Sequence, residues 1–397
     1  MTREVVLAGA VRTPIGRLLG SLTGYSATDL GALVVEETLN RTNLAPDVVD
    51  EVIMGNVIQA GVGQNPARQC ALNAGLPETV AAFTVNKVCG SGLKSVMLAD
   101  QAIRLGQAEA IIAGGTESMT NAPGLVHVRG QTKYPINHQI QDAMDVDGLR
   151  DAFDGIPMGE TGEIVADEHG ITREDADAFA VRSHKLAAEA TENGWFKDEI
   201  LPVEAQPAGR RRGGPETLSQ DEGIRPGSSI ESLGRLRTVF RKDGIVTAGN
   251  ASQISDGASA MVVTSREHAE EHGLPILATV QGYATAGVSP ERVMSAPIPG
   301  TEKLLDQLDL TVDDIDLFEH NEAFASASCA VRAHFNLPEE KFNISGGAVA
   351  LGHPLGCSGA RVLTTLLYNL QRTGGQRGLA TLCLGGGNSV QMVVEAE

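Results

Sequence analysis

The order of apolar and small residues predicts an α/β fold built of two like halves, with a loop domain inserted between them. Three observations carry this. Strand and helix patterns alternate through roughly the first 120 residues, as layered α/β proteins require. From about Thr116 to Asp243 the texture turns polar and rich in chain breakers. The last third then repeats the order of the first.

Val5 to Ala8 reads as a first strand, and Ala27 to Thr42 as an amphipathic helix with Leu30, Leu33, Val34 and Leu39 on one face. Val52 to Ile58 reads as a second strand and Pro66 to Ala74 as a helix. Phe83 to Asn86 is a strand leading to Cys89, Gly92 to Leu105 a helix, and Ala110 to Ala113 a buried strand ending at Gly114-Gly115. The middle stretch holds a charged helix from Arg173 to Asn193, the only tryptophan, Trp195, and the run Pro207 to Pro215. Arg210-Arg211-Arg212 in that run is either a solvated loop or a site for an anionic nucleotide tail. In the last third, Phe342 to Ser345 reads as a strand, followed by a helix from Ala360 to Gln371 and a strand from Leu379 to Cys383 ending at Gly385-Gly386-Gly387. Cys383 falls in the place matching Gly114, and Asp50 to Met54 echoes Asp314 to Phe318. An internal duplication accounts for this order, although an α/β protein without one could also show it.

A chain of 397 residues exceeds what one core usually holds, so two or three coupled domains are expected. With 42% apolar residues the chain is globular rather than disordered, and with only 4% aromatics its core must rest on Ala, Val, Leu and Ile. The formal charge of -19 argues against nucleic acid and against an anionic membrane surface as partners. Only eight of the 31 basic residues are lysines, a balance that fits either a salt-adapted cytoplasm or an ordinary acidic enzyme. The five cysteines are scattered, show no metal-ligand spacing and suggest no disulfide framework. Met1 to Ala10 reads as a first strand rather than a signal sequence, and no apolar run approaches the ~20 residues of a membrane-spanning helix. A reducing, cytoplasmic compartment is the expectation.

Four places carry candidate chemistry. Asn86-Lys87-Val88-Cys89-Gly90-Ser91-Gly92 sets a cysteine between a strand and a helix, where small residues permit a sharp turn. A thiol at a helix N-terminus is expected to have a lowered pKa, which favours a nucleophile over a buried core cysteine. In Asn343 to Arg361, five glycines bracket His353, and Pro354 biases it toward an extended conformation suited to acid/base or oxyanion work. Cys383 precedes Gly385-Gly386-Gly387, whose N–H groups could line an oxyanion hole. By itself it is either a core residue or a catalyst. In Glu319-His320-Asn321-Glu322-Ala323-Phe324-Ala325, the amide of Asn321 either caps a helix or holds a water.

Together these stretches resemble the thiolase family along the whole chain. The elbow cysteine, the Asn-Glu-Ala-Phe turn, the glycine-bracketed His-Pro and the terminal Cys-x-Gly-Gly-Gly occur in the family's order. Gly63 to Gln69 and Val246 to Ser252 match as well. The resemblance implies duplicated halves in a five-layered αβαβα fold: residues 1–118, completed by about 244–268, as the first half; 119–243 as the inserted CoA-binding loop domain; and 269–397 as the second half. It implies an acetyl-CoA C-acetyltransferase working by ping-pong Claisen condensation or thiolysis. Cys89 would be the nucleophile activated by His353, and Cys383 the second acid/base. One oxyanion hole would use His353 and a water on Asn321, the other the backbone N–H groups of Cys89 and Gly385. CoA or substrate contacts carry over to Leu149, Met158, Arg225, Ser232, Ala248, Ser252 and Phe324. Met294 matches a methionine that narrows the acyl pocket of short-chain members. The implied partners are acetyl-CoA, CoA and 3-ketoacyl-CoA, with CoA as substrate or product, no organic cofactor, no metal, and a homodimer or homotetramer.

Four residues depart from the family pattern. Pro157 stands where short-chain relatives often carry histidine near the pantetheine. Cys357 replaces a usual alanine, His320 a small or apolar residue, and Thr238 a common proline. Three other readings compete. A broader 3-ketoacyl-CoA thiolase would share every catalytic residue, a ketoacyl-synthase relative would need histidine in place of Cys383, and a scaffold would have no activity.

Overall fold

The computed structural model describes residues 3–126, 140–205 and 216–397. The run Arg210-Arg211-Arg212 lies outside the described residues. In the first half, β1 (Val5–Arg12), α1 (Ala27–Thr42), β2 (Glu51–Gly55), α2 (Pro66–Asn73), β3 (Ala81–Val85), α3 (Ser91–Arg104) and β4 (Ala110–Ser118) follow in order. The inserted stretch contributes α4 (Met158–His169) and α5 (Arg173–Glu192). The chain returns through β5 (Ser255–Ser265) and continues with β6 (Ile276–Gly287), α6 (Pro297–Gln307), β7 (Leu317–His320), α7 (Ala325–His334), α8 (Leu355–Thr373), β8 (Arg377–Leu384) and β9 (Asn388–Ala396).

Nine of these strands form one path, β7-β8-β9-β6-β1-β5-β4-β2-β3, and the two-residue strand Gly16–Arg17 adds to β5 to make ten. β2 pairs in parallel with β3 and β4, while β5 runs antiparallel to both β4 and β1. The second half repeats this arrangement. β7 is parallel to β8, β9 is antiparallel to β8 and β6, and Phe318 forms a parallel bridge with Phe342 where β3 would stand. The two first strands meet in an antiparallel seam, Val6 opposite Thr279 and Leu7 opposite Ala278.

Five layers follow from which side chains share a core. Alternate residues of a strand face opposite ways. Ile111 and Ala113 accordingly join Leu93, Val96, Leu363 and Leu366 in a central core where α3 and α8 lie. Ala110 and Ile112 instead pack against Leu30, Val34 and Val35 of α1. In the second half, Phe318 and Leu379 meet Leu304 of α6 and Val331 of α7 in a third core. At the centre, α3 and α8 cross on glycines: a Cβ on Gly92 would stand 2.7 Å from the Ala360 backbone nitrogen, and one on Gly359 2.3 Å from that of Leu93.

α1 has the predicted bounds, fixed by a Ser26–Asp29 capping box and a left-handed C-cap at Asn43. Elsewhere the structure corrects the sequence reading. β2 ends at Gly55, because the N–H groups of Val57 and Ile58 turn to the carboxylate of Glu117 at 3.0 and 3.1 Å. Phe342 to Ser345 forms one bridge with β7 and no strand, since Asn343 is left-handed (φ 47) and Gly346 follows at φ 73. α8 begins at Leu355 rather than Ala360: Pro354 opens it, and its glycines, poor helix formers alone, give the close approach to α3.

Arg12, at the end of β1, reaches into the inserted stretch. It is buried and donates to Glu199 at 2.6 Å and to Asp221 at 2.7 and 3.0 Å. No described helix is long and apolar enough to cross a membrane, and all five cysteines are free thiols.

Candidate active site

Cys89 sits on an elbow between β3 and α3. The sharp turn is taken by Val88, whose φ of 47 is strained for a β-branched residue. The Val88 N–H donates to Asn86 Oδ1 at 3.0 Å, and Ser91 Oγ donates to Val88 O at 2.6 Å while accepting from the Lys87 N–H at 2.8 Å. The elbow glycines serve packing rather than the turn, for a Cβ on Gly90 would stand 2.4 Å from Leu384 Cδ2. Burial pushes the Cys89 thiol up to about 11, and a hydrogen bond from the Gly385 N–H works against that rise. The expected depression by the helix N-terminus is therefore corrected: desolvation wins at this site, and the resting group is a thiol.

His353 stands between Gly352 (φ 115) and Pro354, at the threshold of α8. Its Nδ1 is 2.6 Å from Ser358 Oγ. Ser358 gives its own proton to Pro354 O at 2.9 Å. The network therefore assigns the proton to Nδ1, leaving Nε2 with the lone pair. Burial, aided by nearby Arg361, holds the imidazole down to about 3, so His353 rests neutral. Asn321 caps no helix: α7 starts at Ala325 behind Phe324, and the Asn321 amide nitrogen lies 3.5 and 3.4 Å from the two His353 ring nitrogens. Asn321 Oδ1 accepts from Arg361 at 3.4 Å. His320 turns the other way, pairing with Ser328 Oγ at 2.9 Å and stacking on Phe342.

Cys383 closes the far wall. Its thiol donates to the sulfur of Met294 at 3.6 Å, and burial, with the Cys89 sulfur next in effect, pushes its pKa well above the ordinary thiol range. One small cavity of about 50 Å³ is lined by Cys89, His353, Cys383 and Gly385 together with Leu149, Met158, Ser252, Met294 and Phe324. It continues into a channel of about 270 Å³ that shares Leu149, Met158, Ser252, Phe324 and His353 and adds Pro157 and Phe240.

Arg225, Ser232 and Ala248 do not line this cavity. All three are exposed: Ser232 sits in the turn capped by Ser229, and Arg225 donates to Gln253, beside Ser252, at 3.4 Å. Thr238 lies on a surface loop and donates to Lys242 O at 3.1 Å. The buried Cys357 has its thiol raised to about 12 by burial, which leaves it inert. Sequence reasoning missed Ser358, although the stretch around it is conspicuous, because its role depends on the helical turn that brings it back to His353. It missed Arg361 and Glu117 for a similar reason: burial of a charge is invisible in composition. No group of three or more metal-ligating side chains is found among the described residues.

A cysteine on a strand–helix elbow, a neutral histidine and a second thiol around one apolar cavity form a constellation suited to acyl transfer. Residues 5–267 match the family described as thiolase, N-terminal domain, and residues 274–396 match thiolase, C-terminal domain. The chain belongs to the thiolase family and is an acyltransferase. It is 49% identical to an acetyl-CoA acetyltransferase of Syntrophomonas wolfei, over 100% of both chains. The crystal structure of the Bacillus anthracis acetyl-CoA acetyltransferase is similar at a TM-score of 0.95 and 40% identity, covering 100% of this chain and 99% of that one. A human mitochondrial 3-ketoacyl-CoA thiolase in complex with CoA is similar at 0.94 and 38% identity, covering 100% and 98%.

Proposed function

We propose that the chain is an acetyl-CoA C-acetyltransferase that makes or cleaves acetoacetyl-CoA through an acetyl-Cys89 intermediate. The observation that carries this is the meeting of Cys89, His353 and Cys383 in a cavity of about 50 Å³, narrowed by Met294 against Cys383. Cys89 attacks the thioester carbonyl of acetyl-CoA while its proton passes to His353 Nε2. Cys383 gives its proton to the leaving CoA sulfur and becomes a thiolate beside the new imidazolium. A second acetyl-CoA then loses its α-proton to Cys383. The enolate carbon attacks acetyl-Cys89, the Cys89 sulfur leaves, and His353 returns the proton to it. Both thiols end as they began.

Two oxyanions form, and each needs donors of its own. The N–H groups of Cys89 and Gly385 suit the acyl oxygen, and His353 with a water on Asn321 suits the enolate. Coenzyme A is substrate and product, with no further cofactor. Its pantetheine would follow the channel past Leu149, Met158, Ser252 and Phe324, and its nucleotide would reach exposed Arg225, Ser232 and Ala248.

We divide the chain as residues 1–118 with about 244–268, 119–243, and 269–397, and place it in the cytoplasm as a homodimer or homotetramer. The edge strand β3 supports association, since it has no partner on its outer side among the described residues and leaves Phe83 37% exposed. Sedimentation at monomer mass would oppose this.

CoA-dependent thiolysis of acetoacetyl-CoA and of a longer 3-ketoacyl-CoA, with Cys89→Ala as control, tests the reading. Strong preference for acetoacetyl-CoA is expected. Equal or better turnover of the longer substrate would make this a broad thiolase with Pro157 as the opened wall, and no turnover of either would leave a scaffold.

A further inference from the structure

The strand registers let the two halves be overlaid residue by residue. β2 and β7 are each followed by asparagine, Asn56 and Asn321. Gly55 pairs with Gly115 on β4, and His320 pairs with Thr381 on β8. Two residues further along each strand stand Glu117 and Cys383. The match of Cys383 in the first half is thus Glu117, which corrects the assignment to Gly114. Likewise α3 and α8 cross at Gly92 and Gly359, so three residues upstream Cys89 matches Gly356.

The protein therefore holds two places of one geometry. In one, Cys89 faces Cys383 across the reaction cavity. In the other, Gly356 faces Glu117 and no cavity remains. The Gly356 N–H donates to Glu117 at 2.8 Å, and a Cβ there would stand 2.7 Å from Thr116 O and 2.8 Å from Asn56 Cα. Glu117 is wholly buried and also accepts from Asn56 Nδ2 at 2.8 Å and from the N–H groups of Val57 and Ile58. All four partners are donors, which suits an ionised carboxylate at the N-terminus of α8. Burial raises the group to about 7, and its backbone donors oppose that rise.

Gly356 lies three residues after His353 and two before Ser358, the residue that fixes the His353 tautomer. Val57 and Ile58 pack with Leu355, and Cys89 and Leu149 lie against the same cluster. One carboxylate thus ties the first turn of the His353 helix to the half that carries Cys89. We propose that Glu117 is a positioning residue for the reaction, which sets the His353 imidazole against the Cys89 sulfur through Gly356 and Ser358. It touches no substrate. The inference rests on the roles given above to Cys89 and His353.

The test is Glu117→Gln in the full-length protein. The amide turns one acceptor into a donor that faces N–H groups, so either the Gly356 and Val57 pair or the Ile58 and Asn56 pair loses its partner. Single-turnover acetylation of Cys89 by acetyl-CoA is followed by mass spectrometry, and CoA affinity by calorimetry, on protein shown to be folded by near-UV circular dichroism. Acetylation slowed at least tenfold, with CoA affinity within twofold of the parent, is the expected result. Acetylation within twofold of the parent would overturn the proposal, and so would acetylation and CoA affinity falling together, which would mark general loosening. Should Glu117→Gln not fold, Glu117→Asp keeps the charge, moves it by one methylene and is read by the same criteria. If the unaltered protein is not acetylated, the reading of Cys89 fails instead, which separates the two ideas.

Discussion

Replacing Ser358 by alanine removes the acceptor of the His353 Nδ1 proton and leaves the ring's packing in place. In the resting enzyme that bond joins neutral groups across 2.6 Å. In the proposed reaction Cys89 hands its proton to Nε2, the ring becomes a cation, and the same bond becomes charge-assisted, roughly twice as strong. A typical neutral bond contributes about 1 kcal/mol net and one to a charged group about 1.5–3. Only the excess in the charged state slows the reaction, because a loss felt equally before and during the step leaves the barrier unchanged. The excess of about 0.5–2 kcal/mol corresponds to a roughly two- to thirtyfold fall in the acylation rate. Free choice of tautomer slows it further, since only Nε2 can take the thiol proton. Rapid-quench measurement of acetyl-Cys89 formation, with thermal unfolding measured in parallel, reads this directly. An acylation rate within twofold of the parent would refute both the assigned tautomer and His353 as the proton acceptor.

Other perturbations follow from the same structure. With the Cys89 thiol raised to about 11 and His353 held down to about 3, the thiolate fraction keeps growing as pH rises, so alkylation of Cys89 by iodoacetamide should climb continuously from pH 7 to about 10. A plateau below pH 8 would reveal a resting thiolate–imidazolium pair instead. Cys383→Ala should still form acetyl-Cys89 at a reduced rate yet make no acetoacetyl-CoA, and surviving condensation would remove Cys383 from the proton-transfer role. Gly92→Ala drives a methyl against the Ala360 backbone and should cost about 1–3 kcal/mol by overpacking, seen as a lower urea midpoint. An unchanged midpoint would contradict the close crossing of α3 and α8. Finally, a charge of -19 with few lysines should make the thermal midpoint rise from low to molar KCl if the surface is salt-adapted, and a flat response would leave an ordinary acidic enzyme.

Much of this was legible in the chain, for identifiable reasons. Glycines bracket the cysteine and histidine loops because backbone and side chains come too close for a Cβ there, so the loops announce themselves. α1 was readable to the residue because Ser26 and Asn43 mark its ends by local hydrogen bonding and a left-handed turn. What stayed hidden depends on contacts distant in sequence. The start of α8 was misplaced because its glycines argue against a helix locally, while packing against α3 requires them. The Cys89 pKa was expected to fall because a helix N-terminus can be read from sequence and the desolvation around a sulfur cannot. Glu117 looked like one more acidic residue in a chain of many, and its register against β2, the same as that of Cys383 against β7, is what makes it the counterpart of Cys383.

The seam of β1 against β6 has a bearing on how the enzyme must operate. Cys89 comes from one half and His353, Cys383 and Gly385 from the other, and β1 and β6 join the two halves into one sheet through three paired residues with a register shift after Leu7. Such a frame ties the strands that carry the reacting groups into one sheet. Substrate traffic then falls to the side channel and the inserted stretch that walls it, and chain-length preference can drift there without disturbing the spacing of the two thiols. The enzyme behaves as a fixed jig with an exchangeable feed, its reactive geometry settled when the sheet closes rather than each time a substrate arrives.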